Sequence, residues 1–452
     1  MVRLSELLSS EVFAMGNFDD QSQTMSQVAI DQFNQFSTTN FGNQHEAMPL
    51  ATVDQFDQFS IVNFGVQNET LPLVTEEQFD QFSTTYFSYQ NEVIPLVAMD
   101  QFGELADVSR TGRGVKLPLK KQGDNYLVTV GFGTPKLDLT LMVDTGSATT
   151  WIKCKPCITC NPNETLFDPR QSSTFSNCSS ANNCHQSQDY HDKSKVDGNS
   201  VQDTLTLTSQ VFFPRFEFLC GHKPSGFDKV EGLLALGLAD NSFIHQTSQA
   251  FSQKFGYCLP SSDSSTGFLA FGDEAAAACK PRFHGSLVLG PNGDNHNYYI
   301  NLFAITIGQK TLQMPSNGSS SYSQKALLDT GTTVSRLPPS VYSKLNSSFW
   351  ELMSEYPIAE PHGIMKTCFN LERHDLSTAN IPNITLHFGD SLDLTLGSPS
   401  VVFSYPNSIV CLAFAEDEKT IIGSHHLENV NILYDIANKQ VGLSLNPGCS
   451  SY

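Results

Sequence analysis

Two segments of this 452-residue chain follow one plan: Leu141-Met-Val-Asp144-Thr145-Gly146-Ser147 and Leu327-Leu-Asp329-Thr330-Gly331-Thr332. Each is an apolar run that ends in Asp-Thr-Gly and then a hydroxyl residue, and the two aspartates stand 185 residues apart. A short apolar run closed by a turn reads as a buried strand, so each Asp is expected at a strand's end. The glycine permits close backbone approach, and the hydroxyl can hydrogen-bond a carboxylate. One such tripeptide arises readily by chance. Two copies, each behind an apolar strand and a lobe's length apart, imply a duplicated half-domain whose aspartates meet across a pseudo-twofold axis.

If the two carboxylates meet, their chemistry follows. Both cannot ionise cheaply, so one pKa falls, the other rises, and the pair holds a single proton over an acidic range. That sets a general base beside a general acid, able to activate a water while protonating a carbonyl oxygen. The rest of the composition limits the alternatives. Hydrophobic residues make up 39% and charged residues 16%, which allows a sizeable core. No apolar run is long enough for a membrane-spanning helix. The formal charge of -20 argues against a nucleic-acid partner, which would need a basic face.

The acidity is concentrated at the amino terminus. Residues 1–109 carry 16 Asp and Glu against one base, Arg3. Asp31-Gln-Phe-Asn-Gln-Phe-Ser returns at Asp54, at Glu77 and, in fragment, at Asp100, with a spacing of 23. The period lies in the solenoid range, but units so rich in Gln, Asn, Ser and acid offer little to bury, and a flexible acidic arm is the expectation. Residues 110–122, with Arg110, Arg113, Lys116, Lys120 and Lys121, read as a basic hinge open to proteolysis. From Tyr126 the chain alternates short strands with turn residues, for example at residues 137–143, 298–307, 384–388 and 409–414, with helices expected near 241–255 and 340–356.

Eleven cysteines all lie beyond the arm. Cys154, Cys157 and Cys160 have the spacing of a metal or iron-sulfur cradle, but no fourth ligand stands at a customary distance, and no metal or other cofactor is expected. Five Asn-x-Ser/Thr sequons in the β part, at Asn163, Asn177, Asn317, Asn346 and Asn383, join the cysteines in favouring an oxidising, secretory history. The first residues offer no clear signal peptide, because Glu6 and Glu11 interrupt them. The pair His425-His426 lacks acidic or cysteine ligands at useful spacing and reads as loop surface.

From about residue 123 to 449 the sequence resembles the pepsin-like aspartic proteases, in particular the plant nepenthesin-like branch. The resemblance rests on Asn125-Tyr-Leu-Val-Thr-Val-Gly-Phe-Gly-Thr-Pro135, Trp151 seven residues after Asp144, Cys154-Lys-Pro-Cys157, Phe255-Gly-Tyr-Cys-Leu-Pro260, Ile421-Ile-Gly423, Tyr434-Asp435 and Val441-Gly442. It implies a mainly β, bilobal fold with two pseudo-twofold lobes, at residues 123–285 and 286–452. It also implies an aspartic endopeptidase acting on polypeptides as a monomer, outside the cell or in the vacuole. Asp144 and Asp329 would be the catalytic pair. Ser147 and Thr332 would hydrogen-bond them, and Thr145, Gly146, Thr330 and Gly331 would support the loops. In the flap, Cys184 is followed at family offsets by Tyr190, Asp192, Ser194, Gly198 and Asp203, so Tyr190 is the expected flap tyrosine and Trp151 its partner.

The chain also departs from the family. His191 replaces the flap glycine, and Ala235 replaces a glycine in the segment that threads past the Asp144 loop, where an added methyl threatens to displace Asp144. Residues 4–109 contain no Lys or Arg to neutralise the aspartate pair, so any self-inhibition would use the basic hinge. These differences keep open a catalytically impaired pepsin-fold binding or inhibitor protein. Family analogy pairs Cys154 with Cys157, Cys160 with Cys220, Cys178 with Cys184, Cys258 with Cys449 and Cys368 with Cys411, leaving Cys279 free on an Ala-rich flank that reads as exposed.

Overall fold

The computed structural model describes residues 114–178, 184–281, 283–289, 297–315, 323–372, 374–389, 392–445 and 449, and a short antiparallel pair within the amino-terminal unit, Phe87–Tyr89 with Glu92–Ile94. The chain divides into two units, residues 1–110 and 111–452. The flexible arm expected for residues 1–109 otherwise lies outside the described residues, as does the sequon at Asn317.

The second unit is mainly β and carries its duplication in strand register. In the first half, strand Leu137–Asp144 runs parallel to Gly232–Ala235, with Asp144 opposite Ala235. Gly232–Ala235 is antiparallel to Trp151–Lys153, which in turn runs parallel to Phe212–Ser225. The second half repeats the plan. Gln324–Asp329 is parallel to Thr420–Gly423, with Asp329 opposite Gly423. Thr420–Gly423 is antiparallel to Ser335–Leu337, which runs parallel to Phe414–Glu416. The strand before Asp144 alternates, with Leu139, Leu141 and Val143 buried on one face, while its partner buries Leu233 and Leu234; Ala326, Leu328 and Ile422 are buried in the second half.

The two halves are joined by a shared antiparallel sheet. Its order is Val115–Gln122, Thr266–Phe271, Lys254–Cys258, Val430–Asp435, Gln440–Leu445 and Phe283–Leu289. Three strands come from each half, and the pseudo-twofold falls between Lys254–Cys258 and Val430–Asp435. An aromatic group packs there: Phe255 stacks on Tyr434 at 4.4 Å between ring centroids, and Tyr298 lies 5.0 Å from Tyr434. Two further four-stranded sheets flank the second half.

Several expectations need correction. The carboxy-terminal part of the basic hinge is the strand Val115–Gln122, held in the joining sheet with Lys121 paired to Glu428 at 2.5 Å. The helix expected over residues 241–255 is two short helices, Phe243–Gln246 and Ser248–Phe251, cut off by Ser252 and Gln253 at positive φ. Helix Pro339–Leu352 forms close to where it was expected.

The disulfides Cys178–Cys184, Cys258–Cys449 and Cys368–Cys411 are as the family analogy had them, but the first lobe pairs Cys154 with Cys220 and Cys157 with Cys160. Register explains the difference. The parallel pairing of Cys220 with Ile152 carries Cys154 to Cys220, and the Cys154 N–H donates to the Gly221 carbonyl at 3.0 Å. The neighbouring loop then leaves Cys157 and Cys160 to each other, so all three cysteines of the cradle-like trio are consumed as disulfides. Cys279 is buried on helix Asp273–Cys279, its thiol donating to the Ile432 carbonyl at 3.3 Å; burial pushes it up to about 12. His425 and His426 sit on the turn of helix Ser424–Leu427. His426 is 1% exposed, and its loss of hydration holds it well below the ordinary histidine range.

Candidate active site

The two Asp-Thr-Gly turns meet face to face at the pseudo-twofold axis. The Thr145 N–H donates to Thr330 Oγ1 and the Thr330 N–H to Thr145 Oγ1, both at 3.1 Å. Each hydroxyl in turn donates across the axis at 2.8 Å, Thr145 to the Leu328 carbonyl and Thr330 to the Val143 carbonyl. Four buried bonds thereby fix one loop against the other. Backbone amides complete each turn: the Gly146 N–H donates to Asp144 Oδ1 and the Gly331 N–H to Asp329 Oδ1, each at 2.8 Å.

The glycines matter for what lies opposite them. A Cβ on Gly146 would stand 2.6 Å from Asp329 Oδ1, and one on Gly331 would stand 2.5 Å from Asp144 Oδ1. Each glycine therefore makes room for the other lobe's carboxylate, which brings Asp144 and Asp329 close enough for each charge to act on the other. Both are almost fully buried, at 5% and 8% exposure. Thr332 Oγ1 donates to Asp329 Oδ2 at 2.6 Å. Its counterpart Ser147 lies beside Asp144 and favours its charged form, although the buried hydroxyl falls outside good hydrogen-bonding geometry. Burial, and then the charge of Asp329, push Asp144 up to about 7.

The two lobes secure their threading segments alike. The Ala235 N–H donates to Thr150 Oγ1 at 3.1 Å, and the Gly423 N–H to Ser335 Oγ at 2.8 Å. Thr150 and Ser335 each stand six residues after an aspartate. Comparing equal offsets from the two Asp-Thr-Gly copies would have found them. Ser335 also bonds His426 Nδ1 at 2.5 Å, which gives the buried imidazole its role as a support behind the Asp329 loop. The lobes differ at the threading residue itself. A Cβ on Gly423 would meet the Thr333 carbonyl at 2.5 Å. The Ala235 methyl instead packs among Leu127, Trp151, Leu219, Phe227 and Leu233, and Asp144 keeps its place opposite Asp329.

Near Asp144, whose charge reaches Tyr190, lies a hairpin of strands His185–Asp189 and Lys195–Thr206, tied at its base by Cys178–Cys184. Its tip is closed by the Tyr190 N–H donating to the Ser194 carbonyl at 2.9 Å and by Asp192 Oδ1 accepting from Ser194 N–H at 2.9 Å. Tyr190 Oη accepts from Trp151 Nε1 at 2.8 Å, and both rings pack edge-on against Phe227. Burial, with the nearby Asp144 charge, pushes the Tyr190 phenol far above its ordinary range, so it stays neutral.

A bilobal β fold that brings one carboxylate from each half together under a hairpin is the architecture of the aspartic proteinases. A family model for eukaryotic aspartyl proteases matches residues 125–446. An aspartyl protease family protein of Arabidopsis thaliana is 37% identical over 72% of this chain and 73% of its own length. Aspartic proteinase nepenthesin-2 of Nepenthes gracilis is 29% identical over 74% and 80%. Among solved structures, conglutin gamma, a basic 7S globulin from lupine seeds, superposes with a TM-score of 0.61 at 19% identity, covering 75% of this chain and 98% of its own. The basic 7S globulin from soybean gives 0.58 at 18% identity, covering 74% and 97%. The chain belongs to the eukaryotic aspartyl protease family, among plant relatives that include the nepenthesins.

Proposed function

We propose that this chain is an aspartic endopeptidase that hydrolyses peptide bonds with a water held between Asp144 and Asp329. The observation that carries the reading is the buried carboxylate pair, each member held by its own turn's amide and facing the other lobe's glycine. Asp144, pushed up to about 7, holds the pair's proton and donates it to the substrate carbonyl. Asp329, its oxygens fixed by Gly331 N–H and Thr332 Oγ1, takes a proton from the water as it attacks. The tetrahedral gem-diol then collapses as the proton on Asp329 passes to the leaving amine and one diol hydroxyl returns its proton to Asp144, which restores the singly protonated pair with no covalent adduct to the enzyme. The Tyr190 hairpin covers the peptide and limits water.

Polypeptide substrates follow from the family. The five disulfides and the sequons support a secreted or vacuolar site of action. Cleavage of the basic segment after Arg110 or Arg113 would release residues 1–110 or 1–113 and leave the strand Val115–Gln122 in place. The competing reading, a pepsin-fold binding protein, draws on the fold's occurrence in solved seed globulins, since fold alone does not fix activity. A denatured-protein digestion assay at about pH 4 separates the two. Turnover that pepstatin blocks and that Asp144→Asn or Asp329→Asn abolishes is expected; full activity in either variant would refute the assignment.

A further inference from the structure

The residue that replaces the flap glycine makes a bond across the cleft. At the hairpin tip, Tyr190 turns inward to Trp151, while its neighbour His191 reaches the other lobe, where Nε2 lies 2.9 Å from Asp417 Oδ2. The two residues are 226 apart in sequence. Both ends of the contact are anchored. On the flap, the Lys193 N–H donates to the Tyr190 carbonyl at 3.0 Å, and Asp192 Oδ1 accepts from the Ser194 hydroxyl at 2.5 Å. On the second lobe, Asp417 follows strand Phe414–Glu416, its N–H donating to the Leu337 carbonyl at 3.0 Å and its Oδ1 accepting from the Lys419 N–H at 3.1 Å.

Leu337 ends the strand Ser335–Leu337, whose first residue, Ser335, supports the segment beside Asp329. The contact thus joins the flap of one lobe to the strand layer that carries the other lobe's carboxylate. Burial opposes charge on Asp417, but the Lys419 amide, His191 and the nearby Arg336 outweigh it and hold its carboxyl below the usual range. Asp417 thereby presents a fixed anionic acceptor to the imidazole.

We propose that His191 and Asp417 form a latch that holds the flap down on the second lobe and retains a peptide bound beneath it. The kinetic part of this inference rests on the peptidase reading; the latch itself does not. His191 is a positioning residue, acting on the flap rather than on the reacting atoms.

Hydrogen-deuterium exchange on the intact chain tests the latch without any need for turnover. The Trp151 indole N–H, whose bond to Tyr190 Oη ties the flap to the body of its lobe, and the Tyr190 and Lys193 amides at the hairpin tip report flap opening and loosening of the tip. In His191→Ala and in Asp417→Ala their exchange is expected to rise about two- to fivefold, the scale of a half-exposed charged contact. The double variant is expected to rise no further than either single one, because both remove the same bond. Asp417→Asn, which keeps an oxygen acceptor, should recover part of the protection. In the kinetic arm, dissociation of bound pepstatin should speed by a similar factor. Unaltered flap exchange in the single variants, or additive effects in the double, would overturn the latch. Raised exchange in a protein that cleaves no peptide would uphold it and count against the peptidase reading alone.

Discussion

Replacing Thr330 by valine deletes one hydroxyl while nearly preserving shape, and so isolates the bonding between the two active-site loops. Thr330 Oγ1 donates to the Val143 carbonyl at 2.8 Å and accepts the Thr145 N–H at 3.1 Å. The valine variant therefore orphans one buried carbonyl and one buried amide. Each orphaned group costs about 1 to 3 kcal/mol, and slight relaxation of the loop places the expected total near 3 kcal/mol. In a unit of this size, with an unfolding entropy of about 0.7 kcal/mol/K, that lowers Tm by roughly 4 °C. The loop also carries Asp329, and a small misplacement of a reacting group can cost up to about 100-fold in rate, so kcat should fall at least about tenfold. Thr145→Val removes the mirror-image pair of bonds to Leu328 and Thr330 and is expected to cost the same. Thr330→Ser keeps the hydroxyl and is the control. Calorimetry and peptide cleavage read both quantities. A Tm within roughly 2 °C of the parent, or a large difference between the two valine variants, would refute the symmetric account of the loops.

The raised Asp144 has a thermodynamic signature. Its native value of about 7 exceeds the ~3.9 of an unfolded aspartate, so the folded protein keeps a proton that the unfolded chain has lost. That contribution is full below the unfolded value and is lost as pH rises toward 7; Asp144→Asn should flatten the fall in Tm across that window, and an unchanged slope would contradict it. The two threading residues should respond oppositely to a change of one methyl. Gly423→Ala drives a Cβ onto backbone carbonyls and is expected to cost more than about 2 kcal/mol with loss of activity, whereas Ala235→Gly removes a packed methyl for about 1 kcal/mol and leaves cleavage intact, as urea unfolding and activity would report. Cys279, buried and with its thiol pushed up to about 12, should resist an aromatic disulfide reagent in the native protein and titrate as one thiol once it is unfolded; rapid native reaction would contradict its burial.

Much of the site was legible because its signal is local and repeated. An apolar strand, an aspartate and an obligatory glycine recur together, and duplication makes the pair conspicuous in a way that neither copy is alone. The flap tyrosine and Trp151 followed by matching offsets to relatives. What the sequence hid depends on register and on contacts between distant segments. Cys154 takes Cys220 because two strands run parallel there, which no cysteine spacing records. Ala235 is tolerated because its methyl faces a side-chain cluster, while Gly423 faces backbone, and both positions look alike in the sequence. His426 and Cys279 were assigned to the surface from their neighbours, but the fold turns them inward against Ser335 and Ile432. The His191 to Asp417 contact joins two lobes and has no local signature at all.

The central claim is that Asp144 and Asp329 share one proton. Infrared difference titration of the wild type against Asp144→Asn observes it directly, since a protonated carboxyl has its own carbonyl stretch. The expected result is a single buried protonated-carboxyl band that persists in the wild type up to about pH 7 and is missing from the variant's titration. Two carboxylates both ionised by about pH 5, with no such band, would contradict the account.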